Sequence, residues 1–189
     1  MALNLTKNQS VCLTKEAPGL NNVRLGLGWE VASQPLDLDV ACFMLGADGK
    51  CPNDGYMIFF NQKVSPDQSV VHNGDNRTGS GEGDDETIDI DLSKVGPNIN
   101  EVSILVTIYG ARQKSQNFGS LKSAYIRVIN QADNAVIAQY DLDENFPGKY
   151  SVQVGSLIRD PVGQWSFQAI GIGYEKELGE VAGVYGLSV

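Results

Sequence analysis

Hydrophobic positions recur along this chain with a period of two rather than 3.6, the signature of strands rather than helices. Val23, Leu25, Leu27 and Trp29 alternate with Arg24, Gly26, Gly28 and Glu30, which predicts a half-buried strand. A second strand is predicted from Leu36 to Leu45. Its core face begins Leu36, Leu38, Val40, Cys42, and its other face begins Asp37, Asp39. Residues 55–60 (GYMIFF) are a continuous apolar run, as in a buried strand. Residues 87–92 alternate again, with Ile88, Ile90 and Leu92 inward and Asp89 and Asp91 outward. Val102 to Tyr109 is rich in β-branched residues and is the strongest strand of all. Further strands are predicted over 123–130, 135–142, 150–154 and 165–174. Turn chemistry separates them, at Asp48-Gly49, Asn53-Asp54-Gly55, Pro97-Asn98, Asp133-Asn134 and Pro147-Gly148. Short helical turns fit only at 92–95, 112–118 and 155–159, and the glycine-rich end from Gly171 to Gly186 reads as a last strand with a packed tail.

Roughly nine or ten short strands divided by frequent turns predict an all-β fold, a two-layer β-sandwich with few short helices. A closed barrel is the alternative. No linker, repeat or low-complexity tail interrupts the pattern, so a single domain over 1–189 is expected. Alternation assigns Trp29, Trp165, Tyr109, Phe118, Tyr125 and Tyr174 to the core.

Charge narrows the function. The formal net charge is −9, and the 14 basic residues are scattered singly. Phosphate backbones need clustered Lys and Arg, so nucleic-acid binding is disfavoured, and cations or basic protein surfaces are the natural partners. The opening MALNLTKNQSV lacks the basic start and apolar stretch of a secretory signal. No run of about 18 apolar residues suggests a membrane span, and the cytoplasm is the expected compartment. The cysteines, Cys12, Cys42 and Cys51, are odd in number and match no zinc spacing. They read as reduced thiols, with Cys42 in the core and Cys51 in a loop.

One segment stands apart. Residues 73–91, NGDNRTGSGEGDDETIDID, hold seven acidic residues and four glycines against one Arg. Carboxylates crowded this closely repel unless a cation neutralises them. Calcium takes roughly 6–8 hard oxygens, and the segment offers them: Asp75, Asp84, Asp85 and Glu86 as carboxylates, Asn76 and Thr78 as neutral oxygens. Gly74, Gly79, Gly81 and Gly83 let the backbone curl and turn carbonyls inward. His72 is the only nearby nitrogen ligand, so zinc and copper fit poorly. Asp37 and Asp39, two apart on a strand, face the same way. The 75–86 loop is therefore expected to cap that strand end and to hold one or two calcium ions with it. The site is not an EF-hand: Asp75 and Glu86 have its twelve-residue spacing, but Arg77, Gly79 and Ser80 stand at its third, fifth and sixth places. A single GxGxGD stretch likewise cannot stack as a β-roll repeat.

Other chemistry has little footing. His72, the sole histidine, would have to serve any Ser-His-Asp or Cys-His arrangement, and beside an acidic loop a solvent-facing or supporting role suits it better. Gly26-x-Gly28 lacks the third glycine and the helix of a dinucleotide site, and no phosphate-binding loop occurs. The functional readings are a non-enzymatic calcium-binding protein, a calcium-dependent lipid- or carbohydrate-binding module, and a metal-dependent hydrolase, the last disfavoured by the lack of His clusters.

Nearly the whole chain resembles the TerD family of tellurium-resistance and stress proteins. The resemblance is carried by LTKEAPGLNNVRLGLGWE at 13–30, LDLDVACFML at 36–45, FFNQKVSPDQSVVHNGDNRTGSGEGDDETIDIDLSKV at 59–95, AYIRVIN at 124–130 and QWSFQAIG at 164–171. The GDN and GDDE pieces are its most specific part. The resemblance implies a β-sandwich binding calcium at two neighbouring sites. Its ligand candidates are Asp37, Asp39, Asp75, Asn76, Asp84, Asp85 and Glu86, with backbone oxygens near Thr78, Gly81 and Gly83. It also implies a role in resistance to tellurite and other stresses, alongside sister Ter proteins and a membrane-associated component. Glu30 departs from the Asp that commonly follows Trp in the family, and Ser80-Gly81-Glu82-Gly83 falls where the family varies.

Overall fold

The alternating runs become strands that stack as two six-stranded sheets. The computed structural model describes residues 2–31, 35–74, 83–142 and 146–188. Among these the strands are β1 (Leu3–Leu5), β2 (Ser10–Cys12), β3 (Asn22–Val31), β4 (Leu38–Leu45), β5 (Met57–Ile58), β6 (Val70–His72), β7 (Glu86–Asp91), β8 (Glu101–Ile108), β9 (Leu121–Asn130), β10 (Val136–Asp141), β11 (Ser151–Arg159) and β12 (Trp165–Tyr174). Two short helices accompany them, α1 (Leu13–Glu16) and α2 (Leu178–Val184). Sheet I runs β1-β10-β9-β3-β7-β6 and sheet II runs β2-β12-β11-β8-β4-β5. The ladders are antiparallel except β1 with β10. The architecture is the predicted two-layer sandwich, not a closed barrel.

The period of two builds the core. Val23, Leu25, Leu27 and Trp29 of β3 meet Leu38, Val40, Cys42 and Met44 of β4 between the sheets. The other face of β4, with Ala41, Phe43 and Leu45, carries a second apolar cluster that α2 covers with Val181, Ala182 and Tyr185. Every residue of β4 is therefore buried. Burial pushes the Tyr185 hydroxyl up to about 12, and a hydrogen bond with Ser103 opposes that shift.

Several expectations need correction. The helical turn expected at 155–159 is the end of β11, where the ladder shifts register between Gln153 and Gly155. A Cβ at Gly155 would stand 2.7 Å from the Gln168 carbonyl, so close packing rather than helix formation explains this glycine. The apolar run at 55–60 is strand only at Met57–Ile58, because Asn53 accepts from the Gly55 amide and starts a 3-10 turn over Asp54–Tyr56. Cys51 lies in a loop, as expected, but is buried there beneath α2. Tyr109, expected in the core, is 54% exposed. The tail after β12 contains α2, and β1, β2 and β6 are too short for periodicity to reveal.

Asp67 fastens the turn that leads into β6. It accepts from the hydroxyls of Ser65 and Ser69, both at 2.6 Å, and from the amides of Ser69 and Gly96 at 3.0 and 3.1 Å. Burial pushes its carboxyl up, but these donors outweigh burial and hold it below the ordinary carboxylate value. A carboxyl lowered on folding adds stability above its unfolded pKa and loses it as pH falls through the folded value. Asp67→Asn is expected to cost about 1–3 kcal/mol at neutral pH, with a smaller deficit at acid pH, below the ordinary carboxylate value of about 4. Urea denaturation at both pH values measures it.

Candidate functional site

The acidic segment is the connection of a β-hairpin. β6 and β7 pair antiparallel, with His72 opposite Ile88. Beyond the last pair, the Asn73 amide donates to the Thr87 carbonyl at 3.0 Å, and the Asn73 side chain donates to the Thr87 hydroxyl. Gly74 and Gly83, at the two roots of the loop, have φ of +140° and +99°, a region that side-chain-bearing residues rarely adopt.

His72 sits at both roots at once. Its imidazole is buried, not solvent-facing. Nδ1 accepts from the Gly74 amide at 3.2 Å, and Nε2 lies 3.9 Å from Glu86 Oε2. With Nδ1 occupied as an acceptor, the neutral ring carries its proton on Nε2. A wholly buried imidazole held this way is not placed to act on a substrate.

Glu86 closes the segment. Its carboxylate is buried on the inward face of β7 and accepts from the Val40 amide at 2.7 Å. That amide belongs to the peptide following Asp39, so the end of the loop docks on the Asp-x-Asp strand. Asp39 is itself 3% exposed. It alternates with Leu38 and Val40 and so lies on the outward side of β4, as does Asp37. The Asp37 carbonyl accepts from the Tyr109 amide at 2.9 Å, and its carboxylate lies 3.8 Å from Lys114 Nζ.

The GDDE pair diverges. Asp85 Oδ2 accepts from the Trp29 amide at 3.0 Å, while its own amide donates to the Leu27 carbonyl. Burial raises its carboxyl, the Trp29 bond opposes this, and the charge of Asp84 adds to it. Asp84 lies against Gly26 on the outward face of sheet I, paired with Arg127 at 2.7 Å. Gly83 offers its carbonyl to the Tyr125 hydroxyl. Two further acidic residues of the segment are also committed, Asp89 to Arg24, and Asp91 to Ser93 and Lys94.

The structure thus brings Glu86 to the Asp37–Asp39 strand, sets Asp85 against β3 and puts Asp84 on another face. Among the described residues no three His, Cys, Asp or Glu side chains converge as a metal cluster. Asp75, Asn76, Thr78 and Gly81 lie outside the described residues. The donors present at the loop roots are carboxylate oxygens, which suit a hard cation. The thiols do not contribute: burial raises the Cys42 thiol and takes Cys51 to about 12, and Cys12, lowered chiefly by Thr14, belongs to β2. Sequence reading missed Arg127 and Tyr125 as neighbours of this segment, and Lys114 as a neighbour of Asp37. The outward position of Arg127 in a strand was legible, but not the register that sets it beside Gly26.

Comparison with known proteins agrees with this architecture. A family model described as "TerD domain" matches residues 1–185. General stress protein 16U of Bacillus subtilis is 44% identical, covering 100% of both chains. Tellurium resistance protein TerD of Serratia marcescens is 40% identical over 100% of this chain and 99% of its own. Among solved structures, a homologue of telluride resistance protein (TerD) from Streptomyces coelicolor A3(2) superposes with a TM-score of 0.67 at 23% identity. That match covers 87% of this chain and 96% of the homologue, and it speaks for the fold alone.

Proposed function

The chain belongs to the TerD family of tellurium-resistance and stress proteins, and we propose that it acts there as a calcium-binding, non-catalytic protein. In this reading the ion orders the acidic loop of residues 75–86 against the Asp37-x-Asp39 strand. The observation that carries it is the buried Glu86 carboxylate, which ends the acidic segment and bonds the amide next to Asp39. Two roots with positive-φ glycines give the loop the backbone freedom to turn carbonyls toward an ion. Asp37, Asp39, Asp75, Asn76, Asp85 and Glu86 are the side chains that would hold calcium, one or two ions in all, with carbonyls near Thr78, Gly81 and Gly83. Asp84 is set apart from these, since Arg127 already pairs with it. The bound ion supplies charge neutralisation and nothing else is asked of it. We place this role in the cytoplasmic stress response, in company with sister Ter proteins and a membrane-associated complex, as a proposal that rests on the family resemblance.

The test is a thermal melt of metal-stripped protein with calcium and magnesium titrated separately. At about a hundredfold excess over Kd, one ion adds about 2.7 kcal/mol, or roughly 5–11 °C for a chain of this size. A rise with calcium and little with magnesium is expected. No rise with either ion would retire the calcium reading.

A second reading, calcium-dependent attachment to an anionic lipid surface, is favoured by one feature. Phe59 and Gln62 exchange backbone hydrogen bonds, which makes Phe60 and Asn61 the tip of a tight turn. The Phe60 ring stands 6.0 Å from that of exposed Tyr109, with Lys114 Nζ 5.1 Å over the Tyr109 ring. Lys63, whose carbonyl accepts from the His72 amide, ties this turn to β6 beside the acidic loop. Aromatic tips flanked by lysines suit a lipid interface. Phosphatidylserine vesicles should then pellet the protein only with calcium, and less so after Tyr109→Ser. Equal pelleting with and without calcium, or none, counts against this reading.

A further inference from the structure

The Asp84 carboxylate occupies a place built for it. Its side chain is only 8% exposed, and Arg127 Nε lies 2.7 Å from Oδ1. Beneath it is Gly26, where a Cβ would stand 2.1 Å from Asp84 Oδ2. β3 therefore admits the carboxylate only because position 26 has no side chain. The residue before, Gly83, gives its carbonyl to the Tyr125 hydroxyl at 3.0 Å. A Cβ at Gly28 would meet that ring at 2.4 Å. In the β3–β9 ladder Gly26 is opposite Arg127 and Gly28 opposite Tyr125. Two side chains of β9 thus lie beside two glycines of β3 and grip consecutive residues at the end of the acidic loop. Asp85 is then fixed from the other side by Leu27 and Trp29, and Glu86 follows into β7.

We propose that Asp84 is an anchor and not a calcium ligand: with Arg127, Tyr125, Gly26 and Gly28 it forms a latch that holds the end of the loop on sheet I and so positions Asp85 and Glu86. The consequence for calcium rests on the reading above, but the latch itself belongs to the metal-free protein. The two roles for Asp84 predict opposite signs at Arg127. If Asp84 is a ligand, the guanidinium competes with the ion, and removing it tightens calcium binding. If Asp84 is an anchor, removing Arg127 frees the loop end and weakens binding.

Titration calorimetry of metal-stripped wild type, Asp84→Asn, Arg127→Met and Gly26→Ala separates these. The latch predicts a loss of roughly three- to tenfold in calcium affinity for each variant, the size of one part-buried ion pair, with the number of ions per chain unchanged. Arg127→Met is the decisive variant, because only there do the two roles differ in sign, and Gly26→Ala checks the latch by displacing the carboxylate without altering any charge. Tighter binding by Arg127→Met, fewer ions bound by Asp84→Asn, or wild-type affinity in Gly26→Ala would overturn the latch. Urea denaturation in chelator gives a reading independent of calcium. The Asp84→Asn and Arg127→Met effects should couple, the double variant being no less stable than the worse single one. Additive effects would overturn the latch even in a protein that binds calcium. Coupling in a wild-type protein that binds no calcium would leave the latch standing and remove the calcium reading.

Discussion

Glu86→Leu is expected to lower the stability of the metal-free protein by about 2–4 kcal/mol and to abolish the calcium-induced rise in Tm. Glu86→Gln should keep most of that stability and still lose most of the calcium response. One oxygen explains the difference. Oε2 accepts the Val40 amide at 2.7 Å and lies 3.9 Å from His72 Nε2. The leucine variant leaves a buried backbone donor without its acceptor, which costs the full desolvation of that group. A glutamine carbonyl can take the place of Oε2 toward the Val40 amide, so the seam between β7 and β4 survives. What glutamine cannot supply is the negative charge that a divalent cation requires. Urea denaturation in chelator gives the first comparison, and melts with and without calcium give the second. A full calcium shift in Glu86→Gln would remove Glu86 from the ligand set while leaving its structural role intact.

The period of two carried most of the fold. Wherever one strand face met the core and the other met water, as in β3 and β7, the inward set was read residue by residue: Val23, Leu25, Leu27, Trp29, Ile88 and Ile90 are all buried. Reading failed where that premise failed. β4 is covered on both faces, and its second cover is a helix of seven residues more than 130 positions away, which no local pattern announces. Strands of three residues, such as β6, are too short to show a period, so the acidic segment could not be recognised as a hairpin connection. Tyr109 was assigned to the core, yet it follows inward-facing Ile108 just beyond the end of β8 and so turns outward.

The candidate site was legible in composition but not in geometry. Crowded carboxylates and glycines marked residues 73–91, and the placement of Asp37 and Asp39 on one face followed from strand geometry. Which carboxylates already hold a protein cation depends on cross-strand register. Arg24 with Asp89 and Arg127 with Asp84 pair residues 65 and 43 positions apart, and sequence spacing carries no sign of either. His72 shows the same limit. Its neighbours suggested an exposed ring, but the inward register of β6 buries it.

Phe43→Ala is expected to cost about 3–5 kcal/mol, the range for deleting a buried phenyl ring, and to lower Tm by roughly 6–20 °C, while leaving the calcium-induced shift intact. Phe43 is fully buried on the outward face of β4 and packs its ring 4.6 Å from that of Tyr185. Among the described residues the polar ties that hold α2 include Lys50 Nζ to the Val184 carbonyl, the Cys51 amide to the Tyr185 carbonyl, the Tyr185 hydroxyl with Ser103, the Arg112 amide to the Glu177 carboxylate, and Arg112 with Glu180. Three of these ties are exposed to solvent, those of Lys50, Glu177 and the Arg112–Glu180 pair, and contribute little, so the apolar contact with Phe43 dominates the docking of α2. Its loss should therefore appear twice, as a lower melting point and as faster proteolysis around residues 175–188. Asp39 lies on the same face, but its backbone is held by pairing with Thr107 and by the Glu86 bond at the next amide, neither of which involves Phe43. The calcium shift measures the loop end of the sandwich and the melting point measures the whole core, and this variant separates them. If the calcium shift vanished along with the stability, α2 and the acidic loop would form one cooperative unit, and the two faces of β4 could not be treated as independent.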